Sequence, residues 1–414
     1  MKIIIISQYN IFSSIGGTEY YVDMLIKGLV EKGHAVVFIT MGKQEEKTIT
    51  EYCFHQQYQY KCVSLPAQNF TSIEIQQRIV SSTWNEILPI LTLENPDVIH
   101  VHTYTTFFNI RHFEKCKPIF NNLFFTAHIP AQFCPQGDLI KFNKEPCDGV
   151  LYSRCSLCLF TTGFKVGLGN LFHSYWKKVL SRLQHFNSLG VKLVCVSDWQ
   201  KQHALKNGFA EDQTFVIRQA IVTEHYKYEQ LNNSNKNFTI GYLGRLSPEK
   251  GASLLLEAIS KMLVSSKFRF VLGIPLDNCD KKYLATLKEL CKQAGDRILI
   301  MDNITATNKE IFFNQIDCLV IPSFFIETGP IVLLEALLFN KPVVAPDVGG
   351  PIEFKQDFKD YVTTYQWNDS ASLIQSIEMV SRQKIENSNN RLLLKEKETE
   401  FILLHEKLYG SVIS

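Results

Sequence analysis

The residues with most chemical content lie in the second half of the chain. Gly244-Arg245-Leu246-Ser247-Pro248-Glu249-Lys250-Gly251 sets two cations five positions apart on a glycine-bounded loop. Glycines let backbone approach a ligand closely, and Arg and Lys supply fixed positive charge beside a helix N-terminus that itself attracts anions. This combination suits a diphosphate better than a single carboxylate; the competing reading is an ordinary charged surface turn. Further along, Glu327-Thr328-Gly329-Pro330-Ile331-Val332-Leu333-Leu334-Glu335 carries two carboxylates separated by seven residues. Glu335 stands in a nearly all-apolar helical run, where an unpaired carboxylate is costly. It should therefore accept hydrogen bonds, from ribose hydroxyls or a nearby cation, the plainer alternative being a structural Arg. Glu327 falls on the loop after the strand-like run Cys318 to Ile321.

In the first half, His100 and His102 alternate with apolar residues, so both point to one side of a strand. His102 lies nearer the strand end and is the better ligand candidate, against the reading that both are satisfied core histidines. His128 closes the run Leu123-Phe124-Phe125-Thr126-Ala127-His128, and Gly16-Gly17 closes the turn after Lys2 to Ser7. Cys134, Cys147, Cys155 and Cys158 give C-x12-C-x7-C-x2-C inside a segment with Pro135, Gly137, Pro146 and Gly149. Four thiolates in this spacing suit a structural zinc or an iron–sulfur cluster tying down an irregular insertion; four scattered thiols are the alternative. From Phe160 to Arg182 aromatic residues interleave with Lys and Arg, a pattern that suits a bilayer interface or a core helix with a basic face.

These residues need elements to hold them. Lys2 to Ser7 is a β-branched run of strand length, followed by a helix that Thr18 can cap, with Tyr21, Leu25 and Leu29 at helical spacing and Gly33 as its stop. Strands follow at 36–39, 97–102, 123–128 and 191–196. After the polar stretch 226–237 a second strand–helix series begins at Phe238 and runs through Phe268 to Leu272, Arg297 to Met301, Cys318 to Ile321 and Val343 to Ala345. Alternation of this kind favours parallel, doubly wound sheets, in which ligands sit beyond the carboxyl ends of strands. Gly16, Gly17, His102 and His128 would then share one rim.

The set Gly-Arg-x4-Lys-Gly, Glu-x7-Glu and Gly349-Gly350-Pro351 before Glu353, with Gly16-Gly17-Thr18-Glu19, Val98 to His102 and Thr126-Ala127-His128, resembles glycosyltransferase family 4, retaining enzymes of the GT-B fold. The resemblance spans nearly the whole chain, with the motifs in the right order. It implies an α/β protein of two Rossmann-like domains facing across a cleft, with a C-terminal helix crossing back to the first. The expected parts are an acceptor-binding domain at 1–222 with a Cys-rich insertion at about 130–160, a linker at 223–237, a nucleotide-sugar domain at 238–388 and a returning helix at 389–414. By the same resemblance Arg245 and Lys250 bind the donor diphosphate, Glu335 the ribose and Glu327 the donor sugar or its phosphate neighbourhood. Gly16, Gly17, Gly244, Gly349 and Gly350 allow close approach to the donor, and His128 lines the sugar site. Catalysis then requires no metal cofactor. Two departures stand out: Gly329 comes two residues after Glu327, where many relatives have glycine at three, and Phe215 to Val222 replaces a usual Pro-Asn-Gly turn.

Length and composition fit this reading. The 414 residues exceed one domain of ~100–200 residues, and 45% hydrophobic with 20% charged residues excludes disorder and rod-like repeats. A net charge of +2 argues against a nucleic-acid partner. The charge is uneven: residues 1–210 hold 20 basic and 15 acidic side chains, the remainder 23 and 26. Eleven cysteines, an odd number, and only a four-residue apolar run at Ile3 to Ile6 point to a reduced cytoplasmic setting, and the aromatic–basic segment from Phe160 to Arg182 suits peripheral contact with a membrane face. The expected reaction moves a sugar from a nucleoside diphosphate sugar to a glycan or lipid-linked hydroxyl, in surface polysaccharide or glycoconjugate synthesis. The other readings are a nucleotide-sugar epimerase or phosphorylase, or a catalytically silent partner subunit; the latter should have lost Arg245, Lys250 or Glu327, and all are present.

Overall fold

The computed structural model describes residues 1–12, 16–42, 47–67, 83–103, 105, 107–134, 137–149, 154–155, 157–158, 184–226, 237–302, 304, 308–384 and 389–411. The chain divides into two compact units, one of Met1–Gln219 with Thr399–Ser414 and one of Ala220–Glu398.

The first unit is built on strands β1 (Lys2–Ser7), β2 (Ala35–Met41), β3 (Ile49–His55), β4 (Tyr58–Leu65), β5 (Val98–His102), β6 (Leu123–Ala127), β7 (Ile140–Lys141), β8 (Glu145–Pro146), β9 (Lys192–Cys195) and β10 (Thr214–Val216). Eight of them form one sheet in the order β10-β9-β6-β5-β1-β2-β4-β3. All pairings are parallel except β3 with β4. The continuous apolar runs reflect burial on both faces, as parallel sheets require. Ile3, Ile4, Ile5 and Ile6 are all fully buried, each contributing about 1.5–3 kcal/mol of transfer free energy. The β3–β4 hairpin was not legible as a pair of strands, because β3 is the sheet's edge and its Tyr52 and Phe54 face solvent.

The helix after β1 starts at Gly17 and is capped by the backbone of Gly16, not by Thr18. Its buried face, with Tyr21, Val22, Leu25, Ile26 and Leu29, packs on β1, β2 and β4, and at Tyr21 and Gly28 it also meets residues 399–410 of the last helix, Asn390–Gly410. Tyr21 and Phe401 pack edge to face at 4.7 Å, and His34 bonds Glu406 at 2.9 Å. Residues 399–410 of that helix thus belong to the first unit's core.

The second unit has β11 (Phe238–Leu243), β12 (Phe268–Ile274), β13 (Ile298–Asp302), β14 (Cys318–Val320), β15 (Val343–Pro346) and β16 (Val362–Tyr365) in one sheet ordered β13-β12-β11-β14-β15-β16. Every pairing is parallel. Helices Ala252–Met262, Lys281–Ala294 and Ser370–Arg382 cover one face through Leu255, Ile259, Leu287, Leu290, Leu373 and Ile377. Tyr226, read from the sequence as the start of a linker, is buried in this unit. The remainder of that stretch, 227–236, and the aromatic–basic segment from 160 to 182 lie outside the described residues.

Candidate functional site

In the second unit the strand order turns back between β11 and β14, since β12 and β13 extend one way and β15 and β16 the other. The loops after β11 and β14 therefore emerge side by side at a switch point, the usual ligand position in open α/β sheets. Those loops are Gly244–Gly251 and 321–330, the two segments with the strongest chemical signals.

They are joined along their length. The Phe325 amide donates to the Glu249 carbonyl at 2.8 Å. Gly251, at φ +70°, caps helix Ala252–Met262, and a Cβ there would lie 1.8 Å from the Pro322 carbonyl oxygen. Only glycine meets both conditions. Lys250 Nζ reaches Glu327 Oε1 at 2.7 Å, and the Ser323 hydroxyl donates to the same oxygen at 2.6 Å. Burial alone would raise the Glu327 pKa, but the Lys250 charge and these two bonds outweigh it, leaving the carboxyl below its ordinary range. Gly349, at φ +77°, and Gly350 back this loop from the helix Pro351–Asp357. A Cβ on either would lie 2.3 Å from a carbonyl oxygen, of Glu327 or Thr328, and the Gly350 amide donates to the Glu327 carbonyl at 2.8 Å. The buried Tyr242 hydroxyl donates to the Arg245 carbonyl at 2.6 Å and so fixes the first turn of the cation loop. The Arg245 side chain itself is exposed, and among the described residues no carboxylate pairs with it.

Glu335 is 1% exposed. Its Oε1 accepts from the Tyr226 hydroxyl at 2.6 Å and from Lys309 Nζ at 2.5 Å. The hydrogen bonds its burial demanded thus come from a phenol and a lysine, not from an arginine. Neither partner was visible in the sequence: Lys309 opens the helix Lys309–Gln315, and Tyr226 lies 109 positions away. Tyr242 and Ser323 were missed for the same reason, although a Tyr two residues before the Gly-Arg turn was an available hint.

In the first unit the order reverses between β1 and β5, and His102 pairs in register with Ser7 on one side and Thr126 on the other. Gly16 and Gly17 open the helix after β1, and the Glu19 carboxylate folds back onto the Gly16 and Glu19 amides. A Cβ on Gly16 would lie 2.3 Å from Glu19 Oε2. His100, His102 and His128 do come together, and His405 and Tyr409 of the last helix, unread in the sequence, join them with Tyr21. His100 and His102 lie 4.2 Å apart, centroid to centroid, and His102 Nδ1 meets His128 Nε2 at 3.1 Å. Burial, with the neighbouring imidazoles, holds His100 and His102 well below the ordinary histidine range, His128 at about 3 and His405 at about 4. All four rings are therefore neutral at pH 7.

Among the described residues Cys134, Cys147, Cys155 and Cys158 form no disulfide, and no three His, Cys, Asp or Glu are grouped so as to hold a metal. Two of the sulfurs are engaged separately: the Cys147 thiol donates to the Gly149 carbonyl at 3.3 Å, and Cys158 accepts from the Phe142 amide at 3.1 Å. Among the described residues no helix is long and apolar enough to cross a membrane.

The chain is similar to known proteins. Residues 15–225 match the family described as Glycosyltransferase Family 4, and residues 226–392 match Glycosyl transferases group 1. An uncharacterized glycosyltransferase of Methanocaldococcus jannaschii is 23% identical over 352 residues, covering 82% of this chain and 78% of that one. The lipopolysaccharide 1,2-N-acetylglucosaminetransferase of Salmonella typhimurium is 26% identical over 178 residues, 42% of this chain and 46% of its own. Among solved structures, sucrose-phosphate synthase from Thermosynechococcus elongatus superposes with a TM-score of 0.73 at 15% identity, over 99% of this chain and 98% of the other. Anabaena HepE, solved in complex with UDP, gives 0.66 at 15% identity over 99% and 100%. These likenesses establish the GT-B fold of two Rossmann-like α/β domains.

Proposed function

As the chain belongs to glycosyltransferase family 4, we propose that it moves a sugar from a nucleoside diphosphate sugar to an acceptor hydroxyl with retention of configuration. The observation that carries this reading is the exposed Arg245 guanidinium, unpaired among the described residues, on the same loop as Lys250, at the switch point of the second unit. When the bond from the anomeric carbon to the diphosphate oxygen breaks, negative charge grows on the leaving diphosphate. Cations held beside it lower that barrier, because they are already oriented and need no solvent rearrangement. Lys250 has three N–H donors, so one serves Glu327 and the others remain for a phosphate. Glu327 thereby orients the ammonium, and its carboxylate is assigned to the donor sugar rather than to attack on carbon. Glu335, secured through one oxygen, is assigned to the nucleotide ribose. His128 and the Gly16-Gly17 turn are assigned to the sugar and acceptor side.

HepE's complex with UDP makes uridine diphosphate the first probe. The lipopolysaccharide transferase and an uncharacterized protein from a Klebsiella pneumoniae cps region, 23% identical over 371 residues, favour a surface-glycan acceptor. We place the reaction at a cytosolic membrane face on the same ground. The test is calorimetric titration of UDP, then ADP and GDP, into the full chain and into Arg245→Ala and Lys250→Ala. Binding lost at least tenfold in each folded variant is the expected result. Unchanged affinity in both would remove the diphosphate assignment.

A further inference from the structure

Strand β3 ends one side of the first unit's sheet, and among the described residues it pairs with β4 alone. A sheet edge carries unpaired amides and carbonyls, and proteins commonly guard it with lysine, proline, a bulge or a very short strand. β3 has none of these. Its seven residues, Ile-Thr-Glu-Tyr-Cys-Phe-His, pair with 58–64 without interruption. Tyr52 is 63% and Phe54 69% exposed, and alternation puts both on the same side of the strand.

The turn determines which backbone groups face outward. Gln56 and Gln57 alone separate His55 from its register partner Tyr58. A two-residue turn closes on a hydrogen-bonded pair, so His55, Cys53 and Glu51 direct their amides and carbonyls to β4. Those of Thr50, Tyr52 and Phe54 alternate with them and point away from the sheet.

A second copy of this chain fits that edge in one antiparallel register. Outward groups must meet outward groups, so the two-fold axis passes through a residue and not between two. An axis at Glu51 would set that carboxylate against its own copy, which is unfavourable across strands. An axis at Tyr52 leaves Glu51 opposite a thiol, and one at Phe54 runs the ladder into the turn. An axis at Cys53 places Tyr52 opposite Phe54 twice on one face and Glu51 opposite His55 twice on the other. Glu51 has no ion pair of its own among the described residues. His55 meets Glu31 through Nε2 at 2.7 Å, which leaves Nδ1 toward the edge.

We propose that the chain forms a two-fold symmetric dimer in which β3 pairs antiparallel with β3 of a second copy, centred on Cys53, joining two eight-stranded sheets into one. Cys53, a half-buried thiol, then faces its copy in a non-hydrogen-bonded pair. The Cα atoms of such a pair lie ~4.5 Å apart, within disulfide reach.

Light scattering after size exclusion of the full chain should give twice the mass of one chain. Copper phenanthroline, the oxidant, should make the dimer covalent through a Cys53–Cys53 disulfide, identified by peptide mass spectrometry and absent from Cys53→Ser. Tyr52→Lys and Phe54→Lys change exposed side chains, so the fold should persist by circular dichroism. Each adds the charge that guards natural edges and should raise the dimer dissociation constant at least about tenfold. A wild-type chain that stays monomeric would overturn the proposal, and slow amide exchange at Tyr52 and Phe54 in that monomer would assign the edge to another segment of the same chain. A dimer left intact by both lysine variants, or one that oxidation joins only through other cysteines, would refute it equally.

Discussion

Gly251→Ala tests how tightly the two loops of the second unit are joined. The position has φ +70° and ψ +33°, a left-handed conformation that costs an L-residue about 1 kcal/mol. The added methyl would also meet the Pro322 carbonyl oxygen at 1.8 Å, with the Pro322 carbonyl carbon at 2.6 Å. Both are backbone atoms, so no side chain can swing aside, and forced overpacking of this kind costs roughly 1–3 kcal/mol. The expected loss is therefore about 2–4 kcal/mol. Asn368 supplies the control, being left-handed at φ +58° and exposed in the same unit. Comparing Asn368→Ala with Asn368→Gly isolates the conformational part at about 1 kcal/mol. Urea unfolding of the full chain, followed by fluorescence and by far-UV circular dichroism, gives both numbers. A Gly251→Ala loss no larger than the Asn368 difference would refute the packing argument, because the loop would then have room to relax. Moving the 322–327 backbone should also displace Glu327 from Lys250, so UDP affinity should fall with stability.

The buried imidazoles make the first unit acid-sensitive. Their folded pKa values lie below the ordinary 6.5, so under pH 6.5 the unfolded chain takes up protons that the folded one refuses. Stability should be level above about pH 7 and fall below it by up to about 1.4 kcal/mol per ring and pH unit; urea midpoints equal at pH 7.5 and 5.5 would contradict this. Lys250→Ala removes the cation beside Glu327, leaving the Ser323 hydroxyl bonded to it, and should cost about 1–3 kcal/mol, discounted from a fully buried pair because Lys250 is 35% exposed. Adding Glu327→Gln should recover part of that loss in a double-mutant cycle, and simple additivity would deny the coupling. Tyr226→Phe removes one donor to the buried Glu335 carboxylate and should cost about 1.5–3 kcal/mol by denaturant titration, with Lys309→Met equally harmful.

The sequence by itself determined most of the buried central strands and the local chemistry that depends on near neighbours. The β-branched run at Ile3 to Ile6 admits little but a buried strand, and the Gly-Arg-x4-Lys-Gly loop sets two cations on one turn of chain. The buried carboxylate of Glu335 in an apolar helix required donors, though not which ones. The cysteine spacing suits a shared ion, and in the fold two of the sulfurs have hydrogen-bond partners of their own. The sequence places Tyr226 in a linker, because two tyrosines at the head of a polar stretch carry no sustained period.

Tertiary structure alone decided which distant groups meet. Glu327 faces Lys250 because β11 and β14 are neighbours, an order that no local pattern encodes. His100 faces Tyr409 across 309 positions because the last helix packs on the first unit. The reason is physical: propensity, capping and periodicity act over one turn or one strand, whereas hydrogen bonds between segments depend on which buried faces match.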